Sequence, residues 1–327
     1  MSTQSCPVCG EPGAEGAQWC EACGASFDGA VGAITGPPCV DCGADFSEIV
    51  EGYCGVCGRK QPAERDHQSE SVPGIAAVSD RGLRYSKNED AFAIGRSGDA
   101  LVVVVCDGVS TTDSPEDVSL AGAEAARDLL VAELDDGETD TEASLVRATE
   151  AAQTAAAEVP TVQGDQGPGA ATYVGVVVRP GADGILRSWT AWLGDSRAYW
   201  LHDDAATQLT VDDVWWREQV AEELLSEQDA LADPRAQSIT RWLGADATIT
   251  SPRLQETEHD PGGRLLVCSD GLWKYVPEVD ALAAKISELA LEDPVSLAEG
   301  LVSFALGEGG HDNTTVVIAT PDPSGGS

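Results

Sequence analysis

The chain has 327 residues and a formal net charge of -37, from 56 Asp and Glu against 19 Lys and Arg. A nucleic-acid surface or an anionic membrane would repel such a chain, so both are excluded as partners, whereas divalent cations and basic proteins suit it. The length fits one large domain plus a small module. No uncharged apolar run is long enough to span a bilayer, and the start MSTQSCPVCGE has no basic segment followed by an apolar one, so the expected location is cytoplasmic.

Residues 1–62 repeat one pattern, Cys6-x2-Cys9 with Cys20-x2-Cys23, then Cys39-x2-Cys42 with Cys54-x2-Cys57, with spacers of ten and eleven residues. In a reducing compartment paired CxxC knuckles read as thiolate metal sites rather than a disulfide framework, and four thiolates on two tight turns suit tetrahedral zinc. Each ribbon has too few apolar residues to fold on burial alone, and zinc binding of about 10–16 kcal/mol supplies the stability. These segments resemble double zinc ribbons. With only Arg59 and Lys60 positive, the expected role is docking a protein, not binding nucleic acid.

Polar, Pro-flanked residues 63–73 read as a linker. The remainder, 74–321, reads as one domain, and 322–327 (DPSGGS) as a disordered tail. Runs rich in β-branched residues predict strands at 75–79, 91–96, 101–106, 172–179, 186–193, 198–202, 264–268 and 314–319. Helical periodicity occupies 115–134, 141–158, 214–231, 279–291 and 295–306. Strands and helices do not alternate regularly, which favours two sheets flanked by helices over a doubly wound parallel sheet.

Three acids each lie beside an apolar run and next to Gly or Asn: Asp107 in LVVVVCDGVS, Asp270 in RLLVCSDGLW and Asp312 in HDNTTVVIAT. A lone Asp-Gly is an ordinary turn. Three of them, with Glu89-Asp90 in YSKNEDAF and Asp195 in WLGDSRAYW, bring carboxylates from five separated segments. Buried negative charge in one place needs hard cations, and two or more divalent ions activating a water for attack on phosphorus is the chemistry such a set suits. Cys106 and Cys268 read as buried thiols, and His202 and His259 lack ligand-like spacing.

In order, SDRGLRYSKNEDAF, VVCDGVS, GAATYVGVVV, LGDSRAYWL, QLTVDD, SITRWLG, LLVCSDGLW and HDNTTVVIA resemble the metal-dependent protein phosphatase 2C (PPM) family over about residues 75–320. The resemblance implies an α+β fold, a four-layer α-β-β-α sandwich, here preceded by two small zinc ribbons. It implies a serine/threonine protein phosphatase with two Mn²⁺ or Mg²⁺ ions beside the two structural Zn²⁺ ions. Asp107 would bridge both catalytic ions, with the Gly108 carbonyl an additional ligand. Asp270 and Asp312 would complete one ion's shell, Glu89 and Asp90 would hold waters of the other, and Asp195 would stand nearby. The implied substrate is a phosphoprotein, a serine/threonine kinase or its target.

Three positions depart from the family pattern. Tyr85 stands where the phosphate-binding Arg is usual, which leaves Arg84 as the candidate. DGVSTTD lacks the family's histidine, so leaving-group protonation falls to bound water or another group. Lys274 occupies a position where relatives often carry an Asp ligand to a third metal. An ammonium there is expected to repel a third cation and to pair with Asp195. Tyr85, Val109 and Lys274 together suit an alternative, a phosphatase-like scaffold that binds a phosphoprotein or signalling partner without efficient turnover.

Overall fold

The structure, a computed structural model, describes residues 37–50, 52–161, 167–181 and 183–321. The first cysteine quartet (Cys6, Cys9, Cys20, Cys23) and the tail 322–327 lie outside the described residues. The chain divides into two units, Met1–Ala63 and Glu64–Ser327. In the first, β1 (Ile49–Val50) and β2 (Tyr53–Cys54) form an antiparallel hairpin.

The second unit runs β3 (His67–Val72), β4 (Ile75–Asp80), β5 (Asp90–Ser97), β6 (Ala100–Asp107), α1 (Pro115–Asp135), α2 (Thr141–Glu158), β7 (Ala170–Ala171), β8 (Tyr173–Pro180), β9 (Leu186–Leu193), β10 (Arg197–His202) and β11 (Ala205–Gln208). It continues with α3 (Trp215–Ala221), α4 (Glu227–Ala232), β12 (Leu243–Gly244), β13 (Arg253–His259), β14 (Arg264–Cys268), α5 (Asp270–Trp273), α6 (Val279–Leu289), α7 (Pro294–Gly307) and β15 (Thr314–Ala319). Local chemistry starts the helices. Asp140 accepts from Ala143 N–H at 3.0 Å at the head of α2, and Asp293 accepts from Ser296 N–H at 2.9 Å before Pro294 opens α7.

One sheet has the order β11-β10-β14-β15-β4-β3 and the other β13-β9-β8-β6-β5, with antiparallel pairing throughout both. Strand alternation divides their side chains among three cores. Leu101, Val103 and Val105 of β6 meet Leu265, Val267 and Val317 between the sheets. Val102 and Val104 turn outward onto Leu130, Leu145 and Ala148 of α1 and α2. On the opposite face Leu266, Val316 and Ile318 pack on Leu282, Leu297 and Leu301 of α6 and α7. The expected four-layer α-β-β-α sandwich is therefore the fold.

The main sequence-predicted strands and helices are present, and short elements such as β7, β11, β12 and α5 add to them. His67–Val72, in the segment read as linker, forms β3 along β4, and the polar run Arg253–His259 forms β13 along β9. Both are sheet-edge strands with mostly exposed side chains, so neither carries the apolar alternation of a half-buried strand. The single helix expected over 214–231 is two short ones, α3 and α4.

Far along the sandwich, the His259 ring stacks on Trp200 at 3.7 Å and its Nε2 shares a 2.7 Å hydrogen bond with the Ser188 hydroxyl. Burial pushes its pKa down to about 4, against about 6.5 for a free histidine. Between those values the unfolded chain binds a proton that the native chain does not. This contribution to stability is full above about pH 6.5 and is lost as pH falls toward 4. Denaturant unfolding at pH 7 and pH 5 should show a smaller acid loss in His259→Gln than in the parent chain; equal losses would remove His259 as a source of acid sensitivity.

Candidate metal centre

Strand parity builds the site before any loop does. Asp107 continues the register of Leu101, Val103 and Val105, so it leaves β6 on the face between the sheets. Asp90 sits directly across from Asp107 in the β5–β6 pair and shares that face. Ser79 of β4, Ser269 after β14 and Thr315 of β15 carry the same parity. Polar side chains from both sheets thus collect at one end of an otherwise apolar interlayer.

Asp90 is fully buried, and its Oδ2 accepts from Ser269 Oγ at 2.7 Å and Thr315 Oγ1 at 2.8 Å. Thr315 Oγ1 also contacts Ser79 Oγ at 2.7 Å, and Ser79 accepts from Asn88 Nδ2 at 2.8 Å. Asp90 Oδ1 is buried with no hydrogen-bond partner among the described residues. An unsatisfied buried carboxylate oxygen is costly, and among acids it is the mark of a position that takes a cation.

Loop geometry sets the remaining acids. Asn313 Oδ1 accepts from Glu89 N–H at 2.7 Å, while its Nδ2 donates to the Arg81 and Lys87 carbonyls at 2.7 and 3.1 Å. One side chain therefore fixes the Arg81–Glu89 loop against the start of β15. Asp270 opens α5 and is followed by Gly271, where a Cβ would lie 1.9 Å from the Asn313 carbonyl oxygen. At Gly108 a Cβ would meet the Glu89 and Pro115 carbonyl oxygens at 2.6 and 2.7 Å. Both Asp-Gly pairs are required by close backbone approach, at φ angles open to any residue.

Asp107, Gly108, Asp195, Asp270 and Asp312 line one cleft of ≈390 Å³, with Val109, Ser110, Thr111, Thr172 and the 237–239 segment. Glu89 and Asp90 are not lining residues; Glu89 accepts a hydrogen bond from the Ser110 hydroxyl at the rim. Arg84 is exposed and has no hydrogen bond or ion pair among the described residues. Arg81, the other arginine of that loop, is committed to Asp66 at 3.4 Å and the Tyr85 carbonyl at 2.5 Å.

The acids resist ionisation together. Burial, then Asp90, Asp270, Asp195 and Asp312, holds Asp107 well above the usual carboxylate range. Burial first, and like charge after it, pushes Asp90 and Asp195 up to about 7. Burial also raises Glu89 and Asp270.

Lys274 lies against these acids, and here the expected pairing is corrected. Its Nζ pairs with Asp270 Oδ2 and lies 3.4 Å from Asp312 Oδ2, not on Asp195. Lys274 is one helical turn beyond Asp270 on α5, so its stem reaches back along its own helix. Asp195 is 8% exposed, and its backbone carbonyl accepts from Trp273 Nε1 at 2.9 Å.

Sequence reasoning missed Arg65. Its guanidinium donates to the Glu116 carbonyl at 2.7 Å and the Asp90 carbonyl at 3.2 Å, bracing the backbone under two acids. Nothing in its local pattern signals this, because its targets lie 51 and 25 residues away.

In the first unit, the sulfurs of Cys39, Cys42, Cys54 and Cys57 lie within 4.8 Å of one another. The Cys39–Cys57 and Cys42–Cys54 pairs are 3.6 Å apart, near the ~3.8 Å edge of a tetrahedron with 2.3 Å metal–sulfur bonds. Each knuckle closes alike: Gly43 N–H donates to the Cys39 carbonyl at 2.9 Å and Gly58 N–H to that of Cys54 at 2.7 Å, both glycines at positive φ.

Fold and cleft together define a class, and the sequence pattern of that class matches residues 84–302: the chain belongs to the protein phosphatase 2C family. Serine/threonine protein phosphatase PstP of Mycobacterium tuberculosis is 32% identical over 249 residues, which are 75% of this chain and 44% of the relative. The chain thus spans under half the length of that relative. The crystal structure of the M. tuberculosis phosphatase PstP/Ppp superposes with a TM-score of 0.56 at 28% identity, covering 76% of this chain and 98% of the other. The catalytic domain of PstP in complex with two manganese ions gives 0.52 at 30% identity, with 75% and 96% covered.

Without metal, the acid cluster costs stability. In chelator-treated protein Asp107→Asn should raise the melting temperature by about 2–4 °C, the shift that ~1 kcal/mol makes in a domain of this size. An unchanged or lower melting temperature would show that Asp107 is not held against its charge.

Proposed function

We propose that this chain is a metal-dependent serine/threonine protein phosphatase. The observation that carries the reading is the convergence of carboxylates from both sheets on one cleft, with Asp90 Oδ1 buried and unpartnered among the described residues. An oxygen-only donor set fits hard divalent ions, Mn²⁺ or Mg²⁺. Asp107 would bridge two ions with the Gly108 carbonyl beside it, Asp270 and Asp312 would serve one ion, and Glu89 and Asp90 the other, with Asp195 adjacent. Because Ser269 and Thr315 occupy Asp90 Oδ2, only Oδ1 is free to face a cation or its water. Bound there, such ions supply Lewis acidity that lowers the pKa of a water and neutralises phosphoryl charge.

The chain's own residues do the positioning. Asn313 and Arg65 hold the backbone of the acids, and Arg84, exposed and uncommitted, is the guanidinium for the substrate phosphate. Phosphoserine and phosphothreonine on a protein, a kinase or its target, are the substrate class, and the net charge of -37 favours basic segments. The four-thiolate set selects zinc, so one chain carries two metal classes. Residues 1–62 act as a protein-docking platform, the catalytic domain takes in β3 and so begins at Glu64 rather than at 74, and the whole works in the cytoplasm. Among the described residues no helix is long and apolar enough to cross a membrane.

Lys274 on Asp270 and Asp312 favours a second reading, a scaffold that binds phosphoproteins without turnover. Phosphate release from a phosphothreonine peptide separates the two. The enzyme requires release that depends on Mn²⁺ and falls by at least ~100-fold in Asp270→Asn; no release from the parent chain at any metal concentration, with Mn²⁺ bound, means a scaffold. For the ribbons, deleting residues 1–62 should change activity on a phosphoprotein and leave turnover of an aryl phosphate intact. Equal effects on both substrates would exclude docking.

A further inference from the structure

A cation stands against two of the cleft acids. Lys274 Nζ lies on Asp270 Oδ2 and 3.4 Å from Asp312 Oδ2, and the fields of Asp107 and Asp195 also reach it. Most other basic groups near the acids are engaged elsewhere, Arg197 with Asp212 at 2.7 Å, Arg81 with Asp66, Lys87 with Glu116 and Arg65 with two carbonyls, and the exposed Arg84 makes no ion pair with any of the acids among the described residues. Among the described residues lining the cleft there is no Arg or Lys. Lys274 enters from the C-cap of α5 with its side chain 52% exposed, so the ammonium can swing into solvent while its Cα stays in place.

We propose that Lys274 is a tethered counter-ion that competes with a divalent cation for Asp270 and Asp312. In the metal-free protein the ammonium neutralises two acids that, among the described residues, no other Lys or Arg pairs. A metal entering between them must take the oxygens the ammonium holds, and the ammonium leaves them. This inference rests on the reading of Asp270 and Asp312 as metal ligands and adds to it a graded dependence on metal concentration. The displaced ammonium remains at the cleft mouth, where it disfavours a third divalent ion by charge.

Three consequences follow from one side chain. Removing the charge tightens metal binding, because the ion no longer displaces a competitor. Removing it also destabilises the metal-free protein, because Asp270 and Asp312 lose their counter-ion. Keeping the charge on a different head group preserves both properties.

The test is calorimetric titration of Mn²⁺ into the full chain after dialysis against a chelator, with Lys274→Gln, Lys274→Met and Lys274→Arg. The four-thiolate site is soft and takes little Mn²⁺. Expected are at least tenfold tighter binding and a lower metal-free melting temperature in Lys274→Gln and Lys274→Met, with Lys274→Arg close to the parent. Binding by those two variants where the parent shows none would support competition in its strongest form. Equal affinity in all four proteins, with Mn²⁺ bound, would overturn the inference and leave the phosphatase reading standing. No Mn²⁺ bound by any of them would overturn both.

Discussion

Asp90 is an acidic side chain at the inner end of a strand, in a layer where the neighbouring positions on both sheets are Val, Ile, Ala and Leu. Its burial is tolerable because hydroxyls from Ser269 and Thr315 hold one oxygen, Ser79 in turn meets the Thr315 hydroxyl, and Asn88 donates to Ser79. The three hydroxyls come from β4, β15 and the end of β14, all in the sheet opposite Asp90. The same hydrogen bonds that satisfy the carboxylate therefore tie the two sheets at one edge and set where the strand ends meet. The opening of the cleft, the approach of Asp107 and the position of Asp270 beside Asn313 all depend on that closure.

The arrangement trades stability for a site. Acids from separated segments converge where burial disfavours their charge, and among the described residues a few hydroxyls and nearby cations, Lys274 closest of them, offset only part of that cost. A protein selected for stability alone would place apolar residues there. The supporting structure is correspondingly stiff: each Asp-Gly pair has backbone packed where a side chain would go, and the Asn313 amide fastens a loop more than 200 residues away in sequence. Rigidity around a strained cluster is what lets ions and substrate find the acids already in place.

The two metal sites are opposite solutions to one problem. In the ribbon, soft thiolates on glycine-closed knuckles stand close to metal spacing and the surrounding segment has little core of its own. In the sandwich, hard oxygens are carried by a scaffold whose three apolar cores stand without them. On the proposed reading, metal would be a folding requirement in the first and a functional one in the second.

The sequence by itself determined the elements and the ligand chemistry. Period-2 alternation in 101–106 and 314–319 and the 3.6-residue period of 141–158 are local properties, and so are a thiolate's preference for zinc and a carboxylate's for harder ions. The order of the acids was equally legible, because an Asp ending a Val-rich strand has its face set by counting residues. Tertiary structure alone decided which groups meet across sequence: that Lys274 sits on Asp270 and Asp312 and not on Asp195, that Arg65 braces Asp90, and that only one Asp90 oxygen is free. It also decided that His67–Val72 and Arg253–His259 are strands, since an edge strand exposed on most of its surface is held by its neighbour's hydrogen bonds and leaves no hydrophobic period to read. Contacts of that kind depend on how two sheets close upon each other, and residue spacing along one chain does not contain that distance.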